Sequence, residues 1–312
     1  MVVLLLVDRF NRPITSLRIS LTQRCNLKCI FCHGEGDSET VKDEMTPEEI
    51  EKIVRVASSF AVGKIKLTGG EPLVREDICE IVSRISGVSG VKEVSMTTNG
   101  LLLAKLAKDL KDSGLSRVNI NLSSLNPKTY EKITGFNRLK DVLEGLDYAL
   151  NYGLKPVKIN MVVLKNLNKN EIQDMIRFAS EKDVILQLIE LENLGDAKRL
   201  YEEYYTSLDD VEKLLASKAE KVEVRSLHNR KIYHVNDNGK KVKVELVRPF
   251  HNSSFCMNCS RLRVTASGKL KPCLMRNDNL IDIVSHIRKN TPEEKLRKVF
   301  LEAVMAREPF YK

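Results

Sequence analysis

Short apolar, β-branched runs punctuate the first two thirds of the chain, at 17–21, 64–68, 94–98, 118–122, 157–163 and 184–191. Several are apolar on both faces for part of their length, as strands covered on both sides by helices are. Between them lie stretches with helical periodicity. The first opens on Thr46-Pro47-Glu48-Glu49, a capping-box pattern with proline at the first helical position, and continues with a face of Ile50, Ile53, Val54 and Ala57. Comparable patterns fill 75–86, 101–112, 138–151, 169–182 and 207–217. Six strands alternating with helices predict an α/β fold, a parallel sheet with right-handed crossovers that curls or closes like a barrel and carries its chemistry at the C-terminal strand ends. Beyond about residue 220 the pattern becomes that of hairpins. Segments 222–227, 231–235 and 242–247 alternate apolar and polar residues, Asn238-Gly239 marks a hairpin turn and Ser267-Gly268 another, and helical patterns at 279–289 and 293–306 finish the chain. The apolar opening, 2–7, predicts one further strand.

Composition narrows the classes. With 42% hydrophobic residues in 312, the chain can bury a sizeable core as one large or two smaller domains, which excludes wholesale disorder. No apolar run approaches the ~20 residues of a membrane span, and the opening stretch lacks a basic leader and a cleavage-type segment. A cytoplasmic protein without a membrane partner is expected. Lys and Arg number 51 against 42 Asp and Glu, a net charge of +9. A basic chain invites a nucleic-acid reading. Here Lys and Glu alternate along helical segments and no basic run is interleaved with aromatics, which favours a solvated surface and leaves a small anionic substrate open.

Seven cysteines change the picture more, because they fall in groups: 25, 29 and 32, then 79, then 256, 259 and 273. An odd count without a secretory signal argues against a disulfide framework, and two triplets argue for metal. Cys25, Cys29 and Cys32 follow the first strand directly; three thiolates there can ligate three irons of a 4Fe-4S cube and leave the fourth open to chelate a small molecule. Zinc with a fourth ligand such as His33 is the alternative. Cys256, Cys259 and Cys273 repeat the arrangement, with a second open-iron cluster or a zinc site completed by His251 or an acid as the two readings. Arg261 and Arg263, two apart on an extended segment, project to one side beside that triplet and suit phosphate oxygens. Cys79 lies among Ile78, Ile81, Val82 and Ile85 and reads as a core thiol.

The C-x3-C-x2-C spacing after a first strand, followed at the end of the next strand by Thr68-Gly69-Gly70-Glu71-Pro72, resembles the radical S-adenosylmethionine (SAM) superfamily. Glycines without a Cβ would let that backbone approach the cofactor closely. Within it, Asp8-Arg9-Phe10-Asn11-Arg12, Leu17-Arg18-Ile19-Ser20-Leu21-Thr22, Thr97-Thr98-Asn99-Gly100, Lys158-Ile159-Asn160 and the C-x2-C-x-R-x-R…C tail are similar to the GTP 3',8-cyclase family over nearly the full chain. The resemblance implies reductive cleavage of SAM and a 5'-deoxyadenosyl radical that abstracts the ribose 3' hydrogen of GTP. By that similarity Cys25, Cys29 and Cys32 hold the SAM cluster, and Phe31, Gly70, Asn121 and Glu192 contact SAM. Cys256, Cys259 and Cys273 hold a second 4Fe-4S cluster, Arg18, Lys66, Thr97, Lys158, Arg261 and Arg263 contact GTP, and no residue is required as a general base.

Four positions depart from the common pattern: Lys66 stands where Arg is usual, Phe31 for Tyr, Asn121 for Ser and Glu192 for Met. The chain closes on Glu308-Pro309-Phe310-Tyr311-Lys312 rather than the Gly-Gly tail of many members. The fold expected is thus an incomplete (βα)6 TIM-like barrel, residues 1–220, whose open side is covered by an α+β region, 221–312. The electron donor and the oligomeric state, a homodimer among the options, stay open. A SAM-dependent peptide maturase and, from another class, a zinc-stapled nucleic-acid-binding protein are the competing readings.

Overall fold

The computed structural model describes residues 6–37 and 40–311. Six strands, β1 (Ser16–Ser20), β2 (Lys64–Thr68), β3 (Glu93–Thr98), β4 (Arg117–Asn121), β5 (Lys158–Val163) and β6 (Ile185–Glu190), pair in parallel in sequence order. Their crossovers carry α1 (Pro47–Ser58), α2 (Ile78–Ser86), α3 (Leu103–Asp112), α4 (Pro127–Thr134) with α5 (Leu139–Asn151), and α6 (Ile172–Glu181). Helix α1 starts where its sequence demands: the Thr46 hydroxyl accepts from the Glu49 amide and the Glu49 carboxylate accepts from the Thr46 amide. Its Ile50, Ile53, Val54, Val56 and Ala57 are buried, and each of the larger ones removes from water a side chain worth about 1.5–3 kcal/mol.

The strands alternate over most of their length. Leu17, Ile19, Ile65, Leu67, Val118, Ile120, Ile159 and Met161 belong to the apolar core under the helices. Most of the intervening positions are polar, among them Arg18, Lys66, Asn119, Asn121, Lys158 and Gln187, and line an internal cavity. The expectation of strands apolar on both faces for part of their length holds at β5 and β6, where Val162 and Ile189 face the cavity; elsewhere the inner face is hydrophilic, so this barrel encloses a site where the closed eight-stranded form packs its interior with branched apolar residues.

After β6 a short α7 (Tyr201–Tyr204) and α8 (Asp209–Lys218) lead into the antiparallel strands β7 (Ala219–Arg225), β8 (Arg230–Asp237) and β9 (Lys240–Val247). Asn238 and Gly239 turn at φ 51° and 85°, the left-handed pair a two-residue hairpin requires. Strand β9 then adds in parallel to β6, and β10 (Arg261–Val264) adds in parallel to β1, at the opposite edge of the barrel strands. The sheet continues to β11 (Lys269–Lys271) and β12 (Ile281–Asp282) and stays open, in the order β12-β11-β10-β1-β2-β3-β4-β5-β6-β9-β8-β7. The segment from β9 to β10, with α9 (Ser253–Met257), therefore spans the open side. The helix expected over 279–289 shortens to α10 (Val284–Arg288), because Ile281 and Asp282 pair with β11. Helix α11 (Glu293–Met305) closes the chain against α1, with Phe300 stacked on Phe60 at 5.9 Å.

Of the predicted opening strand, residues 2–5 lie outside the described residues; Val7 forms an isolated antiparallel bridge with Pro13. No helix among the described residues is long and apolar enough to cross a membrane.

Candidate active site

One cavity of about 330 Å³ opens at the C-terminal ends of the barrel strands and is lined by both cysteine triplets. All seven cysteines are free thiols. Cys25, Cys29 and Cys32 sit on the loop after β1, which is docked on the end of α4 by Lys28 N–H to Thr134 O (2.9 Å) and Ile30 N–H to Ile133 O (3.0 Å). Burial raises all three thiols, Cys29 to about 12, so loading them with iron would expel protons. Among the described residues no three His, Cys, Asp or Glu side chains surround a single-ion position. Three thiols on one loop lining the cavity can each take a separate iron of a cube.

The Gly69-Gly70-Glu71 segment is sewn to that loop. Gly70 N–H donates to Thr22 O (2.7 Å) and Glu71 N–H to Arg24 O (2.8 Å). A Cβ on Gly70 would fall 2.3 Å from Arg24 O and 2.6 Å from Gln23 O, so only glycine permits this approach. Burial raises Glu71 to about 7, although its carboxylate accepts from Asn99 N, Thr98 Oγ1 and Leu73 N. Phe31, Asn121 and Glu192 line the same cavity. Glu192 Oε2 is buried and without a hydrogen-bond partner. Unsatisfied buried acceptors facing a cavity call for a donor from a ligand, and an amino group or ribose hydroxyls of SAM would supply one. The residues present thus fit a SAM-chelating cluster.

Across the cavity, Cys256 and Cys259 bracket the end of α9 and Cys273 follows β11. Two buried arginines hold the backbone between them: Arg12 Nη1 donates to Cys256 O (2.9 Å) and Arg307 Nη2 to Cys259 O. Burial raises Cys273; at Cys259 burial is outweighed by Arg307, Arg261 and Arg263, which pull the thiol below its usual value. A thiol biased toward thiolate is a ready iron ligand.

Between the triplets lies a row of cations fixed by strand register. Arg263 on β10 faces Arg18 on β1, which faces Lys66 on β2, while Thr97, Asn119 and Lys158 occupy one row on β3, β4 and β5. Arg261 enters the same cavity two residues before Arg263. Burial pushes Lys66 well below its usual pKa, with Arg117, Arg18 and Arg261 adding to it; its ammonium donates to Asn119 Oδ1 at 2.9 Å. Arg261 is lowered the same way, by burial and then by Arg18 and Arg263. Such a concentration of buried positive charge is costly unless a polyanion completes it. Two carboxylates offset part of it. Glu35 accepts from Arg18 (3.2 Å), Arg263 (2.7 Å) and Thr68 (2.8 Å); these arginines hold it well below the ordinary carboxylate range against the effect of burial. Glu245, fully buried, pairs with Lys158 (2.6 Å), Arg230 (3.1 Å) and Arg225 (3.4 Å). Against burial, Arg230 and Lys158 hold it down at about 2, while burial lowers Lys158 to about 8 despite the pairing.

All sixteen residues singled out in the sequence as ligands or contacts line this cavity. Sequence reasoning missed Glu35, Arg117, Arg225, Arg230 and Glu245, and the structural part of Arg12 and Arg307. Alternation could have found one of these, since Arg117, Asn119 and Asn121 share the inner face of β4. Cys79, partly buried and packed on the core, is a core thiol as expected.

Comparison with known proteins agrees with this geometry. Residues 19–179 match the Radical SAM superfamily and residues 184–312 the family Molybdenum Cofactor Synthesis C. A Thermococcus kodakarensis protein named "Probable GTP 3',8-cyclase" is 50% identical over 310 residues, covering 99% of this chain and 100% of that one. A Methanothermobacter thermautotrophicus protein of the same name is 46% identical, covering 97% and 98%. In fold, the chain resembles Streptococcus suis SuiB bound to S-adenosylmethionine (TM-score 0.64, 16% identity, 93% of this chain and 69% of SuiB) and anSMEcpe with bound AdoMet (TM-score 0.57, 18% identity, 90% and 79%).

Proposed function

The chain belongs to the GTP 3',8-cyclases of the radical SAM superfamily, and from that premise we propose how its own residues perform the reaction. It is an enzyme with two 4Fe-4S clusters and SAM, converting GTP to (8S)-3',8-cyclo-7,8-dihydroguanosine 5'-triphosphate at the first step of molybdenum cofactor biosynthesis. The observation that carries the reading is that both cysteine triplets and the cation row line one cavity.

When bound, the first cluster and SAM would supply the radical chemistry needed at the ribose 3' carbon. The protein's part is positional. Cys25, Cys29 and Cys32 hold that cluster, Gly70 brings backbone against SAM, and Phe31, Asn121 and Glu192 complete its pocket. Arg18, Lys66, Lys158, Arg261 and Arg263 grip the triphosphate, the arginines bidentately, and Thr97 touches the nucleotide between them. Cys256, Cys259 and Cys273, which line the cavity, would hold the second cluster, which would bind the base. Residues 1–220 act as the radical-generating unit and 221–312 as the unit carrying the second cluster. An external one-electron donor is required. GTP as substrate favours the cytoplasm.

The test is anaerobic incubation of the reduced, reconstituted enzyme with SAM and GTP. 5'-Deoxyadenosine and the cyclised nucleotide are expected to rise together with GTP; a deoxyadenosine yield indifferent to GTP, with no cyclised product, overturns the substrate assignment. Arg261→Ala and Arg263→Ala each lose charge-assisted contacts of about 1.5–3 kcal/mol. Each is expected to weaken GTP binding by about 10- to 150-fold, read by calorimetry, with iron content unchanged. Unaltered affinity in both variants would remove the triphosphate from β10.

A further inference from the structure

Glu35 occupies the place where the cation row most needs an anion. Its two carboxylate oxygens hold Arg18 and Arg263, which face each other across β1 and β10, and Thr68 on β2. It also sits in an unfavourable backbone conformation. Gly34, Glu35 and Gly36 all turn at positive φ, 55°, 54° and 66°, a region that a residue with a side chain rarely adopts. The carboxylate's contacts with Arg18, Arg263 and Thr68 help hold the turn there, alongside Gly36 N–H to His33 O (2.8 Å) and Asp37 N–H to Gly34 O (3.0 Å).

The turn lies between the two triplets. Cys32 is three residues before Glu35. On the other side, a Cβ on Gly36 would fall 2.3 Å from Leu274 O, beside Cys273, and Lys271 Nζ donates to Gly36 O at 2.7 Å. The turn therefore adjoins the segments that carry both sets of thiols.

We propose that Glu35 is the site's resident counter-anion, which holds Arg18 and Arg263 until the triphosphate of GTP displaces it, and that its release shifts the 32–36 turn and so reports nucleotide binding to both triplets. This rests on the reading of the cavity as a GTP site. A triphosphate brings more negative charge and more acceptor oxygens to the two guanidiniums than one carboxylate does, and a turn held by that carboxylate has two arrangements to choose between. A permanent splint would act oppositely, since removing an aiming group weakens what it aims.

The experiment measures GTP binding to reconstituted enzyme without SAM or reductant. Glu35→Gln removes the competitor and is expected to tighten GTP about tenfold, the order of one lost charge-assisted pairing, with GMP affected much less; Glu35→Asp keeps the charge and stays near wild type. Independently of any variant, hydrogen exchange in wild-type enzyme is expected to speed up at amides 33–37 when GTP is added. GTP binding by Glu35→Gln equal to or weaker than wild type, or exchange at 33–37 untouched by GTP, overturns the proposal. If the wild type fails to bind GTP at all, the substrate reading falls first and this one with it.

Discussion

Asp8→Ala is expected to destabilise the protein by about 3–5 kcal/mol, the range for removing one partner of a buried ion pair, and to cost it the second cluster before the first. The Asp8 side chain is fully buried, and every acceptor site it offers is used. Oδ1 takes the Phe10 and Arg12 amides (2.9 and 3.0 Å), and Oδ2 takes Arg12 Nε (2.8 Å) and Arg307 Nη1 (2.7 Å). Alanine would strand two buried guanidiniums, whose other nitrogens hold the Cys256 and Cys259 carbonyls. The carboxylate thus ties a turn near the start of the chain, the segment after α11 and the second triplet into one unit. Urea unfolding read with iron content after reconstitution separates this from generic loss of stability: iron falling from roughly 8 toward roughly 4 per chain, as the loss of one cube of two requires. A variant less than about 1 kcal/mol weaker, the range of an exposed pair, with full iron, would make the network incidental.

Why so much of the site was legible, and what was not, has a physical explanation. The six barrel strands announced themselves because their outward positions, such as Leu17 and Ile19 or Ile159 and Met161, must be apolar to pack under helices. Both triplets were legible because cluster ligands cluster in sequence. Strand β10 was foreseen only as an extended segment, and its union with β1 not at all, since pairing partners more than 240 residues apart leave no local trace. Helix α4 was missed although Asn126 caps it and Gly135 ends it at φ 81°; eight residues give too few turns for a period to register. Glu245 falls within an alternating segment, 242–247, and Arg230 just outside one, 231–235. The hairpin is welded to β6, so its polar face turns inward, and alternation alone cannot say which side is water.

The two triplets should fail differently. Cys29→Ala removes a thiol from the set beside Gly70 and Glu192, where SAM is bound in the proposed arrangement, and is expected to abolish 5'-deoxyadenosine formation entirely. Cys273→Ala leaves that end of the cavity intact: Cys25, Cys29, Cys32 and the Gly70 contacts with Thr22 and Arg24 do not depend on β11. It is expected to retain SAM cleavage while losing the cyclised nucleotide by at least a hundredfold, the order of about 2.7 kcal/mol of lost positioning. Each variant should reconstitute to roughly 4 irons, one cube, in place of roughly 8. The same iron count with opposite product patterns assigns radical generation to one triplet and nucleotide positioning to the other. If Cys273→Ala instead loses deoxyadenosine in step with product, the triplets form one catalytic unit and the division of labour across the cavity is wrong. Gly36 against Leu274 is the contact through which such coupling would pass, so Cys273→Ala combined with Glu35→Gln distinguishes a cluster that only holds the base from one that also gates the radical.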